Sequence, residues 1–274
     1  MNGRDPFQTG LDFGRSGSGS LLLIAAILFI GIGASAAATN TLSDAESQGR
    51  ALAQQLCESR PAENFTNAGV LKIKDGKGKR SEIPVRFQTS VTSTNWQSFY
   101  VTCLTNQAEM LRIVHVADQL NEYFYRTNSS GRVPALDGVS VLGHLFRSQS
   151  LSGAELMTAF AGSDFWLADL GLEFFHWPGQ KLLKKEVKRS RGCAVLESTN
   201  PDPSTDGYSR VVSWIDSESG GIVQAEAYDF KNQLLKEFAP KSFKKVNGQW
   251  ELQEMEIYNN RTGSRTRLDF DLKP

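Results

Sequence analysis

The chain has 274 residues, with 30 Lys and Arg against 30 Asp and Glu, so its formal net charge is zero. That balance argues against a nucleic-acid binder, which carries a basic surplus, and 40% hydrophobic with 22% charged residues excludes a disordered chain. Three cysteines and three histidines are too few for a disulfide scaffold or a dedicated metal site.

Residues 21–32, LLLIAAILFIGI, form a short apolar run followed by the small residues Gly33 to Ala38. This is the layout of a secretory signal, with Ala34-Ser35-Ala36 and Ala36-Ala37-Ala38 as cleavage candidates. A spanning helix needs ~20 apolar residues, a length reached here only by counting on to Ala38. The expectation is a signal peptide over 1–38, with an uncleaved amino-terminal anchor as the alternative, and one exported domain over 39–274. Gly31 to Ala36 matches G-x-G-x-x-A, but no strand–turn–helix context surrounds it. Export places the domain in an oxidising compartment, where Cys57–Cys103 is the candidate disulfide and three buried thiols the alternative.

Residues 43–57 read as a helix, with Ser43 as N-cap and Leu52, Ala53 and Leu56 on one face. Alternating segments follow at 69–74, 82–88, 96–103, 109–116 and 121–126, with a hairpin turn at Asp75–Lys79. Pro84 lacks a donor and suggests an edge strand or a bulge. The middle is greasier. Ser152–Glu155 has capping-box spacing and opens an expected helix over 154–161, and Ser163 caps a second over 164–170. Phe146, Leu151, Phe160, Phe165, Trp166, Leu170 and Trp177 crowd this stretch, either as ordinary core or as a helical lid over an apolar cavity. Alternation returns at 181–189, 192–198, 208–216, 222–229, 234–246, 249–258 and 265–272.

The pattern predicts an α+β domain: a curved antiparallel sheet of about ten strands, an incomplete β-barrel, with helices covering its concave face. His115, His144 and His176 stand alone, and no nucleophile elbow or phosphate loop occurs after residue 38. The charge run Lys181, Lys184, Lys185, Lys188, Arg189, Arg191 reads as a solvated strand face or as attraction to acidic headgroups or an acidic partner.

In the carboxy-terminal half, Gly162-Ser163-Asp164-Phe165 through Leu170 resembles the "SDF…DL" helix of the outer-membrane lipoprotein-sorting (LolA-like) family. Tyr208 with Val211 to Asp216 resembles its "W-I-D" strand, and Tyr228-Asp229 with Leu234-Leu235-Lys236 its following hairpin, Asn232 standing where a Gly often sits. Gly248-Gln249-Trp250, Met255 and Asn260 to Thr266 continue in order, so the resemblance covers roughly residues 140–274. It implies a non-catalytic periplasmic carrier, without cofactor, holding lipid or lipoprotein acyl chains in an apolar cavity between an inner-membrane exporter and an outer-membrane acceptor. The candidate cavity residues are Phe160, Phe165, Trp166, Leu170, Trp214, Ile215, Tyr228, Trp250 and Met255. The alternative is an envelope sensor or structural domain, tethered by residues 21–38 and binding a protein partner.

Overall fold

The computed structural model describes residues 42–102, 107–116, 119–128, 150–246 and 249–272, all within one compact unit. The expected signal over 1–38, Phe146 and Cys103 lie outside the described residues. The chain opens with helix α1 (Asp44–Cys57), started by the expected capping box: the Glu46 amide donates to Ser43 Oγ and the Ser43 amide to Glu46 Oε2. Five strands follow, β1 (Phe65–Lys74), β2 (Arg80–Val91), β3 (Asn95–Thr102), β4 (Ala108–Val116) and β5 (Glu122–Asn128). Seven more come after the middle segment: β6 (Gly179–Lys188), β7 (Arg191–Thr199), β8 (Arg210–Asp216), β9 (Ile222–Tyr228), β10 (Leu234–Val246), β11 (Gln249–Asn259) and β12 (Ser264–Asp271).

All twelve belong to one antiparallel sheet, ordered β5-β4-β3-β2-β1-β12-β11-β10-β9-β8-β7-β6. Twelve strands therefore stand where about ten were expected, and the sheet is open, with β5 and β6 at opposite ends. Two meanders, β1–β5 and β6–β12, are joined by the pairing of β1 with β12. The connection from β5 to β6 must cross the whole sheet, and this topology fixes the role of residues 150–178.

That crossing segment is less helical than its sequence suggests. The expected helix over 154–161 is two short 3-10 turns, Gly153–Met157 and Phe160–Gly162, and the second helix shrinks to α2 (Leu167–Leu170). Gly153, Ala161 and Gly162 all have positive φ, which an α-helix cannot continue through. Asp164 and Phe165 leave the helix because the sheet claims them: the Asp164 amide donates to Thr266 Oγ1 on β12, and Phe165 is buried. A further 3-10 turn, Glu173–His176, follows Leu172, whose φ of 52° reverses the chain before β6.

Pro84 lies in β2, an interior strand, not on an edge.

One face of the sheet is covered by the crossing segment, while the opposite, open face is charged around β1 and β12 but also buries Phe99, Val101 and Met110 on β3 and β4, each 1% exposed. The row Thr266, Ile257, Phe238, Ala225, Ser213 and Leu196 runs across six strands on the covered face. It joins two apolar clusters. The first packs Leu71, Val85, Tyr100, Leu111, Ile113, Tyr123, Ile257 and Leu268 of the sheet against Leu156, Phe160, Phe165, Leu167 and Leu170 of the crossing segment. The second packs Leu196, Val211, Ile215, Ala225, Ala227 and Leu235 against Phe174, Phe175, Trp177 and Ala53 of α1. Helix α1 lies so close to β6 that a Cβ on Gly49 would stand 2.6 Å from Lys181 Cα.

Candidate functional site

The site is the interior between the covered face and the crossing segment, where the two clusters meet. At its centre is Lys236 on β10, 2% exposed. The strand has a bulge between Leu234 and Lys236, where it pairs with β9. The extra residue turns Lys236 inward, into register with Ala227. Its ammonium donates to the Asp164 carbonyl at 2.7 Å and stands 3.5 Å from Asp169 Oδ2. It lies 3.4 Å from the centroid of the Trp166 ring, a cation–π contact, with Tyr208 at 5.4 Å. Burial lowers its pKa to about 8, against the opposing pull of Asp169.

The Asp169 carboxylate is well supplied with donors. Tyr208 Oη donates to it at 2.9 Å and the Trp166 amide at 2.8 Å, while the Trp166 and Tyr208 rings stack with centroids 4.6 Å apart. Other ties fasten the crossing segment to the sheet along its length. Thr266 donates to Asp164 Oδ2, and Ser264 to Asp164 Oδ1. Glu109 on β4 accepts from the Ala161 amide at 2.7 Å and from the Tyr125 hydroxyl. Asn121 Nδ2 donates to the Gly171 carbonyl, and Gln180 Nε2 to those of Phe174 and Trp177. Strands β4, β6, β10 and β12, and Asn121 just before β5, thus each hold one part of the segment.

The interior is filled. A cavity of about 20 Å³, bordered by Asp169, Tyr208, Val211, Lys236, Phe238 and Ile257, has room for a water rather than an acyl chain. At this centre there is thus no room for the preformed apolar pocket expected from the resemblance. Phe160 and Phe165, each 1% exposed, occupy the place a guest would take.

The nine candidate cavity residues divide. Phe160, Phe165 and Leu170 come together in the first cluster, with Met255 packed against it. Trp166 and Ile215 belong to the second, on the same face. Trp214 and Tyr228 lie on the other face with Cys193, Val195, Val212 and Val223. Trp214 cannot line the interior, because it neighbours Ile215 on one strand and successive side chains point to opposite faces. There Lys188 covers its ring and Glu186 accepts its indole N–H at 2.6 Å. Trp250 lies on β11, and its side chain is outside the described residues. Sequence reasoning missed Lys236, Asp169, Tyr208 and Glu109 as a working set. A lysine beginning a long strand carries no signal of burial until the bulge is known.

Beside this interior, Glu173 Oε2, Tyr123 Oη and Asn121 Oδ1 are buried without a hydrogen-bond partner in the protein. Burial pushes the Glu173 carboxyl up to about 7, with a smaller opposing pull from the neighbouring Tyr123 hydroxyl. Cys57 and Cys193 are free thiols among the described residues, and Cys103, the candidate partner of Cys57, lies outside them. Burial, with Glu173 nearby, pushes the Cys57 thiol up to about 11, which keeps it a poor nucleophile. Among the described residues no group of three or more His, Cys, Asp or Glu is placed to hold a metal ion, and no helix is long and apolar enough to cross a membrane.

Comparison with known proteins bears on the architecture. A domain described as an outer-membrane lipoprotein-sorting protein, from Vibrio parahaemolyticus, superposes with a TM-score of 0.62 at 20% identity, over 83% of this chain and 92% of its own. The chain shares the fold of the lipoprotein-sorting and LolA superfamily proteins. A DUF1329 family protein from Desulfovibrio piger has a TM-score of 0.63 at 19% identity, covering 84% of this chain and 92% of its own. A LolA superfamily protein from Nitrosomonas europaea has a TM-score of 0.53 at 16% identity, covering 84% and 93%. A family model described only as "-like: Uncharacterized protein" matches residues 142–272, and no curated protein matches. The matched stretch begins before the crossing segment and runs through β12, the same half that carries the sequence resemblance.

Proposed function

We propose that the chain is a non-catalytic periplasmic carrier for lipid or lipoprotein acyl chains, serving outer-membrane lipoprotein sorting or lipid transport. In this reading the described arrangement is the closed one. The observation that carries this reading is the construction of the cover. The apolar face is closed by a crossing segment of single turns, and the centre of that segment is held by a buried lysine bound to the Asp164 carbonyl and the Asp169 carboxylate. When the segment lifts, Lys236 and Asp169 recover hydration, while the apolar strand residues beneath need a new covering. An acyl chain supplies it at about 0.8 kcal/mol per buried CH₂. Uptake and release are then shifts between closed and open populations, with no bond chemistry needed. The shared fold supports the carrier reading, and an inner-membrane exporter and an outer-membrane acceptor would be its partners.

Native mass spectrometry of protein purified from its source envelope, together with titration of a fluorescent fatty acid, tests this. Copurified lipid or saturable probe binding is the expected result. A lipid-free protein that also ignores the probe would remove the carrier role. The filled interior favours a second reading, a tethered envelope domain that binds a protein partner. Amino-terminal sequencing of the exported protein separates the two: a mature start near Ala37 or Thr39 leaves no tether.

A further inference from the structure

The open face carries a feature that the carrier reading does not use. Lys74 on β1 is the register partner of Arg80 on β2 and, on its other side, of Arg265 on β12. Three like charges therefore stand side by side across three strands, an arrangement that destabilises a sheet. The row next to it is balanced, with the like-charged neighbours Lys72 and Arg267 flanked in register by Glu82 and Glu256. There Lys72 pairs with Asp269 at 2.6 Å and Arg267 with Glu256 at 2.6 Å. Arg265 has only a 3.5 Å share of Glu256, which also serves Lys241 and Arg267. Lys74 and Arg80 are exposed and have no ion pair among the described residues.

The two rows border a recess of about 310 Å³ lined by Lys72, Lys74, Arg80, Glu82, Arg265 and Arg267, five cations against one carboxylate. The nearest turn does not neutralise it. The Asp75 carboxylate is occupied by the amides of Lys77 and Lys79, at 2.9 Å each, and that same turn brings two more exposed lysines to this end of the sheet.

We propose that this recess binds a phosphoryl oxyanion, either inorganic phosphate or the phosphate of a lipid headgroup, between Lys74, Arg80 and Arg265. A tetrahedral oxyanion between the three cations, doubly charged as free phosphate or singly charged in a phosphodiester headgroup, turns their mutual repulsion into attraction, and the arginine forks match its oxygen geometry. The volume admits the anion with part of its hydration, in keeping with a solvent-facing, salt-sensitive site.

The test uses the full chain and the double variant Lys74→Gln/Arg80→Gln. Thermal unfolding is followed in sodium phosphate and in sodium chloride at matched ionic strength. Phosphate is expected to raise the wild-type Tm beyond chloride, and the double variant to bind it about tenfold more weakly. Without phosphate at low salt, the double variant is expected to melt no lower than wild type, because a repulsive row has been removed. Lys184→Gln, the same change of charge outside the recess, should keep the phosphate response. Flotation with phosphatidylglycerol vesicles separates the sources: phosphate-competable capture, lost in the double variant, assigns the headgroup, and its absence with the Tm response intact assigns the free anion. Equal shifts in phosphate and chloride, or a double variant that keeps the wild-type response, overturn the proposal.

Discussion

Single side chains here hold positions that their chemistry explains only in context. Glu173 is buried with its carboxyl pushed up to about 7, whereas its ordinary value is 4.5. In the unfolded chain it loses its proton at the lower pH. Stability from this group is therefore complete below about pH 4.5 and is lost as pH rises toward 7, because the folded state must keep the proton or bury a charge. Glu173→Gln, always neutral, is expected to be more stable than wild type above pH 7, by roughly 2–3 kcal/mol at most. Below pH 4.5 the difference should vanish, and urea unfolding at pH 4 and 8 measures both. Gly49 is a second case. Alanine is the better helix former by about 1 kcal/mol, yet a Cβ there meets β6 backbone at 2.6 Å, so Gly49→Ala is expected to lower stability by about 1–3 kcal/mol. A melt that rises instead would show that α1 shifts without cost. Neither effect was legible in the sequence. Glu173 and Gly49 read as ordinary turn and helix residues, and burial beside distant strands made them otherwise.

At the scale of elements, the proposed carrier role turns on the crossing segment. Lys236→Met removes the ammonium, while Asp169 keeps the Tyr208 hydroxyl and the Trp166 amide as donors, so the cost to stability should be about 1–3 kcal/mol. Because that cost falls on the closed arrangement, the open population grows. Fatty-acid probe affinity should rise about tenfold for each 1.4 kcal/mol by which closure is weakened relative to opening. An unchanged or weaker probe affinity in a folded Lys236→Met protein would separate the lysine from any opening. The segment's apolar character was legible, as was the placing of Phe160, Phe165 and Leu170 near one another. Its helices were not, because capping spacing at Ser152 promised continuity that the positive φ values at Ala161 and Gly162 break. Tertiary hydrogen bonds to Asp164 and Ala161 outweighed local helix preference in this stretch.

Across the whole molecule, one sheet separates two chemistries. The covered face carries the two large apolar clusters and the crossing segment, while the open face carries the charged rows beside smaller apolar groups around Trp214 and around Phe99, Val101 and Met110. Trp214→Phe keeps a ring but loses the donor to Glu186, so it should cost about 1–2 kcal/mol of stability and leave probe affinity unchanged. A large change in probe binding would show that the two faces are coupled.

Alternation of side chains marked nearly every strand because the pleat imposes its period locally, residue by residue, and the composition alone was enough to set a disordered chain aside. The faces were another matter. Whether Trp214 or Ile215 looks inward, whether Lys236 is buried, and whether Lys74 meets two arginines depend on register and on a bulge. Those are set by pairing between strands far apart in the chain, which no local pattern records. The filled interior was decided the same way: the sequence supplied the aromatic residues, and only the path of the chain across the sheet put them where a guest would sit.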